Sequence, residues 1–343
     1  MIRVLLACGV LLSCAASLAA GAEAAVRLQL TARIPLGPVK GRLDHLALDP
    51  KLNRLFVAEL GNDSVAVVDL AKLRVLRRLT GFSEPQGVAW SADAGSLYVA
   101  SGGDGTVRAF TGEALAAGPT IDLGADADNL RIGSDGRVWV GSGTGALTAL
   151  DARTLKPTAT LEFPGHPEGF QLEIQGPRAY VNDPDANEVV ALDRERKQVS
   201  AHWRTGQGAN FPMALDEANA RLFVVFRSPP GLSVLSTRDG RQIAHVPTCG
   251  DADDVFLDPR RSVAYVICGT GRIDVFDTRV DAFGLVGSMQ TVPGARTGLY
   301  SPELDRLFVA VRASGAEAAS IWIFQPVGPD VRLRQGPESP PSR

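Results

Sequence analysis

Seven positions of the 343-residue chain share a spacing but not a chemistry: Asp44, Gln86, Asp128, Glu168, Phe211, Asp253 and Arg296 lie 42, 42, 40, 43, 42 and 43 residues apart. Polar neighbours travel with them. His45, Asn129 and Asp254 come next in the chain, and Arg42, Glu84, Asp126, His166 and Asp251 stand two residues earlier. Farther along each unit, one equivalent region holds Glu59 and Asp183 in two copies and Arg227 and Arg312 in two others. Brought together, such groups could do three things. A hard cation such as Ca²⁺ wants roughly six to eight oxygen ligands, and Asp44, Asp128, Asn129, Glu168 and Asp253 could supply several, with Asp128, Glu168 and Asp253 the nearest to a metal set. Arg227, Arg296 and Arg312 suit the carboxylate or phosphate of a small polar ligand. Alternatively the groups form a solvated rim tied by its own salt bridges. In every case clustered carboxylates need a cation, a proton or an arginine to offset their repulsion.

Other chemistries find less support. The four histidines, His45, His166, His202 and His245, include no H-x-H or H-E-x-x-H pairing, so they make a weak metal signal and read as surface or packing residues, although His45 and His166 fall at the same level as the acidic positions. Gly102-Gly103-Asp104-Gly105 and Gly141-Ser142-Gly143-Thr144-Gly145 each lie between two strands and open no helix, which makes them hairpin loops rather than phosphate cradles. No G-x-S-x-G elbow and no C-x-x-C-H occurs, so neither a serine hydrolase nor a covalent haem has its usual marker.

The elements that must position these residues repeat with them. Each unit begins with a short apolar strand, such as Leu46-Ala47-Leu48, and continues with a second rich in aromatic and β-branched residues, such as Leu55-Phe56-Val57 or Tyr265-Val266-Ile267. A third follows, as in Val65-Ala66-Val67-Val68, and in the first six units a fourth, as in Thr158-Ala159-Thr160-Leu161. Seven units near 42 residues predict an all-β, seven-bladed β-propeller with four-stranded blades. The seventh unit stops at 321–326 without a fourth strand, while an orphan strand at 27–36 precedes the first unit; the N-terminal strand should therefore complete blade seven and close the ring. A tenth of the chain is glycine, 36 of 343 residues, in keeping with so many turns. The expected organisation is a leader at 1–22, one propeller at 27–328, and a loose Pro-rich tail at 329–343.

The leader has Arg3, an apolar run from Val4 to Leu12 and small-x-small sites near Ala22, the pattern of a secretory signal peptide. Leu11-Leu12-Ser13-Cys14 also offers a lipobox-like sequence with Cys14 as the lipidated residue. Its loss leaves 34 basic against 38 acidic residues and two cysteines, Cys249 and Cys268; an oxidising periplasmic or extracellular compartment makes a disulfide between them the expectation. No later stretch is apolar enough to span a membrane. The formal charge of −3 gives no diffuse positive field, and an acidic funnel with Phe211 as its only ring aromatic argues against nucleic acid as a partner.

The strand phrases Tyr98-Val99-Ala100-Ser101, Tyr180-Val181-Asn182-Asp183 and Tyr265-Val266-Ile267-Cys268, one per 42-residue unit, resemble the YVTN-type bacterial propeller repeats. The resemblance covers nearly the whole chain after the leader and implies an exported seven-bladed propeller; it implies no one chemistry. The carboxylate set is also similar to that of calcium-dependent lactonase propellers, which implies an axial metal polarising a lactone, but those have six blades. The functional expectation is a monomeric binding protein whose acidic, arginine-flanked funnel takes a small polar ligand or a metal ion without turnover, with a metal-dependent hydrolase and a protein-interaction scaffold as the alternatives.

Overall fold

The computed structural model describes residues 26–328 except 125, 144, 280–282, 316 and 317. The leader, Cys14 and the C-terminal tail lie outside the described residues.

Seven four-stranded antiparallel sheets stand in a ring as the blades of a β-propeller. Blades one to six occupy 46–80, 85–122, 127–162, 170–204, 208–247 and 252–290, each running from its inner to its outer strand in chain order. Successive inner strands touch one another, and that of blade seven, Gly298–Ser301, touches that of blade one, Leu46–Asp49. Blade seven takes its outer strand from the other end of the chain: Arg27–Pro35 pairs antiparallel with Ser320–Val327, from Arg27 opposite Val327 to Pro35 opposite Ser320.

Both faces of every middle strand are covered, so second and third strands read as continuous apolar runs rather than alternating ones. Leu55, Phe56, Val57 and Ala58 are all fully buried. Among the described residues the core divides into seven apolar clusters, each shared by two adjacent blades. On the face where first and second strands join, charge is spent on fastening blades together. Asp49 holds Arg54 at 2.8 Å and Asp216 holds Arg221 at 2.5 Å; each guanidinium then donates to a backbone carbonyl of the next blade, Glu113 and Thr278 respectively.

Cys249 and Cys268 are joined by a disulfide, as expected, with their Cα atoms 5.8 Å apart. It ties the approach to blade six to the end of that blade's second strand, and both cysteines are buried in the cluster between blades five and six. The cross-link spans 19 residues, for which loop-closure entropy gives about 3 kcal/mol. Reduction should therefore lower the calorimetric melting temperature by several degrees, and thiol titration in denaturant should find the Cys249 and Cys268 thiols only after reductant; an unchanged melting curve would mean that the bridge constrains little.

Candidate functional site

The backbone at the entry to each blade is bent the same way. A left-handed residue recurs in all seven: glycine at Gly41, Gly124, Gly165 and Gly294, and a residue with a side chain at Glu84, Ala209 and Asp251. In four blades the ladder between first and second strands then slips, between Pro85 and Val88, Ala127 and Leu130, Asn210 and Met213, and Ala252 and Asp254. Such bulges re-aim side chains away from the regular pleat. They fall on Gln86, Asp128, Asn129, Phe211 and Asp253, and this local irregularity turns those residues toward the axis. The first-strand ladder begins at Leu46 in blade one, as expected, at Phe170 in blade four and at Gly208 in blade five.

The axial cavity has a volume of about 600 Å³, within the range of small-ligand pockets, roughly 300–1,000 Å³. Eleven of the fourteen sequence-derived candidates line it: Asp44, His45, Gln86, Asp128, Asn129, Glu168, Phe211, Arg227, Asp253, Asp254 and Arg296. Three are placed elsewhere. Glu59 is fully buried inside blade one, where it accepts from Arg78 Nε at 2.8 Å and Ser64 Oγ at 2.6 Å. Asp183, also buried, accepts from the backbone N–H groups of Asp185 and Ala186 and shapes a hairpin turn. Arg312 is exposed and lies against Gly294. All three stand at the expected height along the axis, but their side chains are turned into a sheet or outward.

Arg42, Asp126 and His166, from the row two residues earlier, also line the cavity, as do Arg131 and Gln171, which the spacing argument did not single out. Arg131 lies on an inner strand two residues beyond Asn129, donating to Asn129 Oδ1 at 2.9 Å; the alternation of that strand was the available signal. Gln171 donates to the Met213 carbonyl at 2.8 Å and joins blades four and five. The two glycine-rich loops are hairpins as expected, and they make room for the site: a Cβ on Gly102 would sit 1.9 Å from Gln86 Nε2, and one on Gly143 2.9 Å from Asp126 Cβ.

Charge is not evenly matched around this space, where six carboxylates face four arginines. Asp253 is claimed by two of them, Arg227 Nη2 on Oδ1 and Arg296 Nε on Oδ2 at 2.8 Å, and Arg296 also reaches Asp251 at 2.9 Å. Arg227 further lies over the Phe211 ring, 3.8 Å from its centre. Asp44 is paired with Arg42 at 2.7 Å. These pairs leave Asp253 and Asp44 ill suited as metal ligands, and the five-residue calcium set does not assemble. The arginine sector is correspondingly spent on Asp251 and Asp253 rather than held free for an anion.

Among the described residues no arginine forms a salt bridge with Asp128 or Glu168. Burial pushes Asp128 up to about 7, with Asp44, Asp126 and Asp253 adding to the rise and His45 opposing it. Glu168 rises to about 8, again chiefly through burial and then through Asp128 and Asp253, with Arg227 opposing the rise. Asp253 reaches only about 6, because Arg227 and Arg296 counter its burial. His45 shows the other side of the imbalance: burial works against its charge, yet Asp254, Asp44 and Asp128 together raise it to about 10. Its ring nitrogens stand 3.8 Å from Asp254 and from Asp44 and 3.3 Å from Asn129 Nδ2; three carboxylates outweigh one neutral amide, so the imidazolium form prevails at neutral pH. His166 Nε2 lies 3.5 Å from Glu168 and 3.7 Å from Asp126. The remaining histidines belong to outer strands, with His202 hydrogen-bonded to Glu188 at 2.5 Å and His245 beside Ser233 at 3.0 Å.

No family model matches the chain, and no curated protein is similar to it in sequence. Solved structures share the architecture. A chain of the hydrazine synthase of Kuenenia stuttgartiensis superposes with a TM-score of 0.69 at 16% identity, covering 81% of this chain and 98% of its own. A chain from the crystal structure of a mitotic checkpoint complex superposes with a TM-score of 0.73 at 17% identity, covering 94% and 98%. At such identities the likeness is one of fold. Among the described residues no helix is long and apolar enough to cross a membrane.

Proposed function

We propose that the chain is an extracytoplasmic binding propeller whose axial cavity receives a small polar ligand or a metal ion without turning it over. One observation carries the reading: the cavity neutralises Asp44, Asp251 and Asp253 with its own arginines, while among the described residues Asp128 and Glu168 stand at its wall with no arginine within salt-bridge distance and only the longer-range pull of Arg131 and Arg227. A buried carboxylate and a half-buried one beside it, kept at such cost, are better matched by an incoming cation, or by a ligand with hydrogen-bond donors, than by solvent alone. The leader-like N-terminus and the disulfide support an oxidising compartment. A polar rim with no ligand would instead be expected to pair its charges throughout.

Differential scanning fluorimetry over divalent metals, small amines, polyols and carboxylates tests this. A binder stabilises the native state by mass action, about 2.7 kcal/mol at a hundredfold excess over Kd, so at least one compound should raise the melting temperature by several degrees in wild type and not in Asp128→Asn. No shift across the whole panel would leave the site a salt-bridged rim. Hydrolysis of lactones or esters that stops with chelator would replace the binding reading with an enzymatic one.

A further inference from the structure

We infer that Asp128, His166 and Glu168 form a binding site for one first-row divalent cation of the zinc type, at the junction of blades three and four. This rests on reading the cavity as a ligand site and goes further by naming the ion's class and its ligands. Each residue offers one ligand atom, and the three atoms lie within 4.8 Å of one another. The His166 Nε2 to Glu168 Oε1 distance of 3.5 Å is already near the edge of a tetrahedron around an ion with bonds of about 2.1 Å, which is roughly 3.4 Å. A modest inward turn of Asp128 completes a three-residue face.

The second observation is independent of the clustering. Asp128 is only 8% exposed, yet among the described residues no hydrogen bond or ion pair reaches its carboxylate, which lines the cavity. Buried carboxylates are ordinarily hydrogen-bonded, paired or metal-bound. Neighbouring acids show how the fold behaves where no outside cation is expected: Asp44, Asp49, Glu59 and Asp253 each receive an arginine. Asp128 receives none: it stands within ligand reach of His166 and Glu168, with the His45 imidazolium as a positive neighbour.

The donor set decides the ion. Two carboxylate oxygens and one imidazole nitrogen suit zinc, cobalt, nickel or manganese, whereas calcium prefers an all-oxygen shell of higher number. Three protein ligands leave at least one position open toward the axial cavity, where a small Lewis base could join the ion. Asp126 stands beside the same His166 Nε2 at 3.7 Å, held by Gln86 Nε2 at 3.1 Å, and adds negative potential at the same place.

The test uses tag-free, chelator-treated protein with its disulfide intact, titrated with Zn²⁺ by calorimetry and with Co²⁺ by visible absorption. The expected result is one ion per chain, with the intense d–d bands of a four- or five-coordinate cobalt site that Zn²⁺ abolishes and millimolar Ca²⁺ does not. His166→Gln and Glu168→Gln should each weaken binding at least about tenfold while leaving the circular dichroism spectrum unchanged; His202→Gln, on an outer strand, should bind as wild type does. Binding retained in His166→Gln, or Ca²⁺ displacing Co²⁺ at comparable concentration, overturns the assignment. Absence of any zinc or cobalt binding also overturns it; if an organic compound then still stabilises wild type but not Asp128→Asn, the binding-propeller reading survives and only the metal site falls.

Discussion

A chain beginning at Leu36, without the strand Arg27–Pro35, should fail to accumulate as a soluble folded protein. That strand is the outer edge of blade seven and supplies Leu28 to the apolar cluster between blades six and seven and Ile34 to the one between blades seven and one. Burying each side chain contributes about 1.5–3 kcal/mol, before the ladder to Ser320–Val327 is counted, against a typical total stability of about 5–15 kcal/mol. Deletion also leaves Ile321-Trp322-Ile323-Phe324 as an apolar, unpaired edge, a template for association between chains. Gel filtration and circular dichroism of the truncated chain are expected to show aggregate or loss of the cooperative melt. A synthetic peptide of residues 26–36 added during refolding should restore it, because the strand is joined to the ring by pairing and packing. A monomeric truncated protein with wild-type melting would mean that the ring does not depend on joining its two ends.

The same feature shows what a repeat makes visible. A unit that lacks its fourth strand and a strand that lacks its unit predict each other, so the closure at Arg27–Pro35 could be read from spacing alone, as could the seven blades, whereas the pairing of Cys249 with Cys268 followed from their being the two cysteines left after the leader in an oxidising compartment. Spacing also gives the height of a residue along the axis, which is why eleven candidates do meet at one cavity. It does not give the face. Glu59 and Asp183 end second strands at the right level, but one turns into its sheet toward Arg78 and the other back onto its own turn. Nor does spacing give partnership between blades: that Arg227 of blade five and Arg296 of blade seven both close on Asp253 of blade six depends on side-chain reach across two blade boundaries. His166 was visible at the rim but not as a partner of Asp128 and Glu168, since ligands drawn from two blades leave no local motif such as H-x-H. The bulges that aim Gln86, Asp128, Phe211 and Asp253 inward occur in four blades only, and the left-handed position at the entry to every blade does not mark them out in the sequence.

Asp128→Asn should make the metal-free protein more stable at pH 8, more stable by a smaller margin at pH 5, and leave it unchanged only at about pH 3, below the ordinary carboxylate range. The sign follows from the raised carboxyl. In the folded protein Asp128 holds its proton up to about 7, whereas in the unfolded chain it ionises in the ordinary carboxylate range. Its favourable contribution is therefore fully present below that ordinary range and is lost as pH rises through about 7. Glu168, raised to about 8, and Asp253, raised to about 6, act in the same direction, and so does His45, whose stabilising charge is lost only as pH climbs toward 10. Wild-type protein without ligand should accordingly melt at progressively lower temperature from pH 5 to pH 8.5. The amide resembles the protonated carboxyl in shape and removes the alkaline penalty; allowing for partial solvent access and coupling among the acids, the gain at pH 8 is about 1–2 kcal/mol, or a few degrees in melting temperature. Melting curves of both proteins across this pH range, with and without Zn²⁺, provide the check. With the ion present the order should reverse, wild type gaining stability that the variant cannot. An Asp128→Asn protein that is less stable at every pH would show that the carboxylate is already satisfied within the fold, and it would remove the reason to look for a cation there.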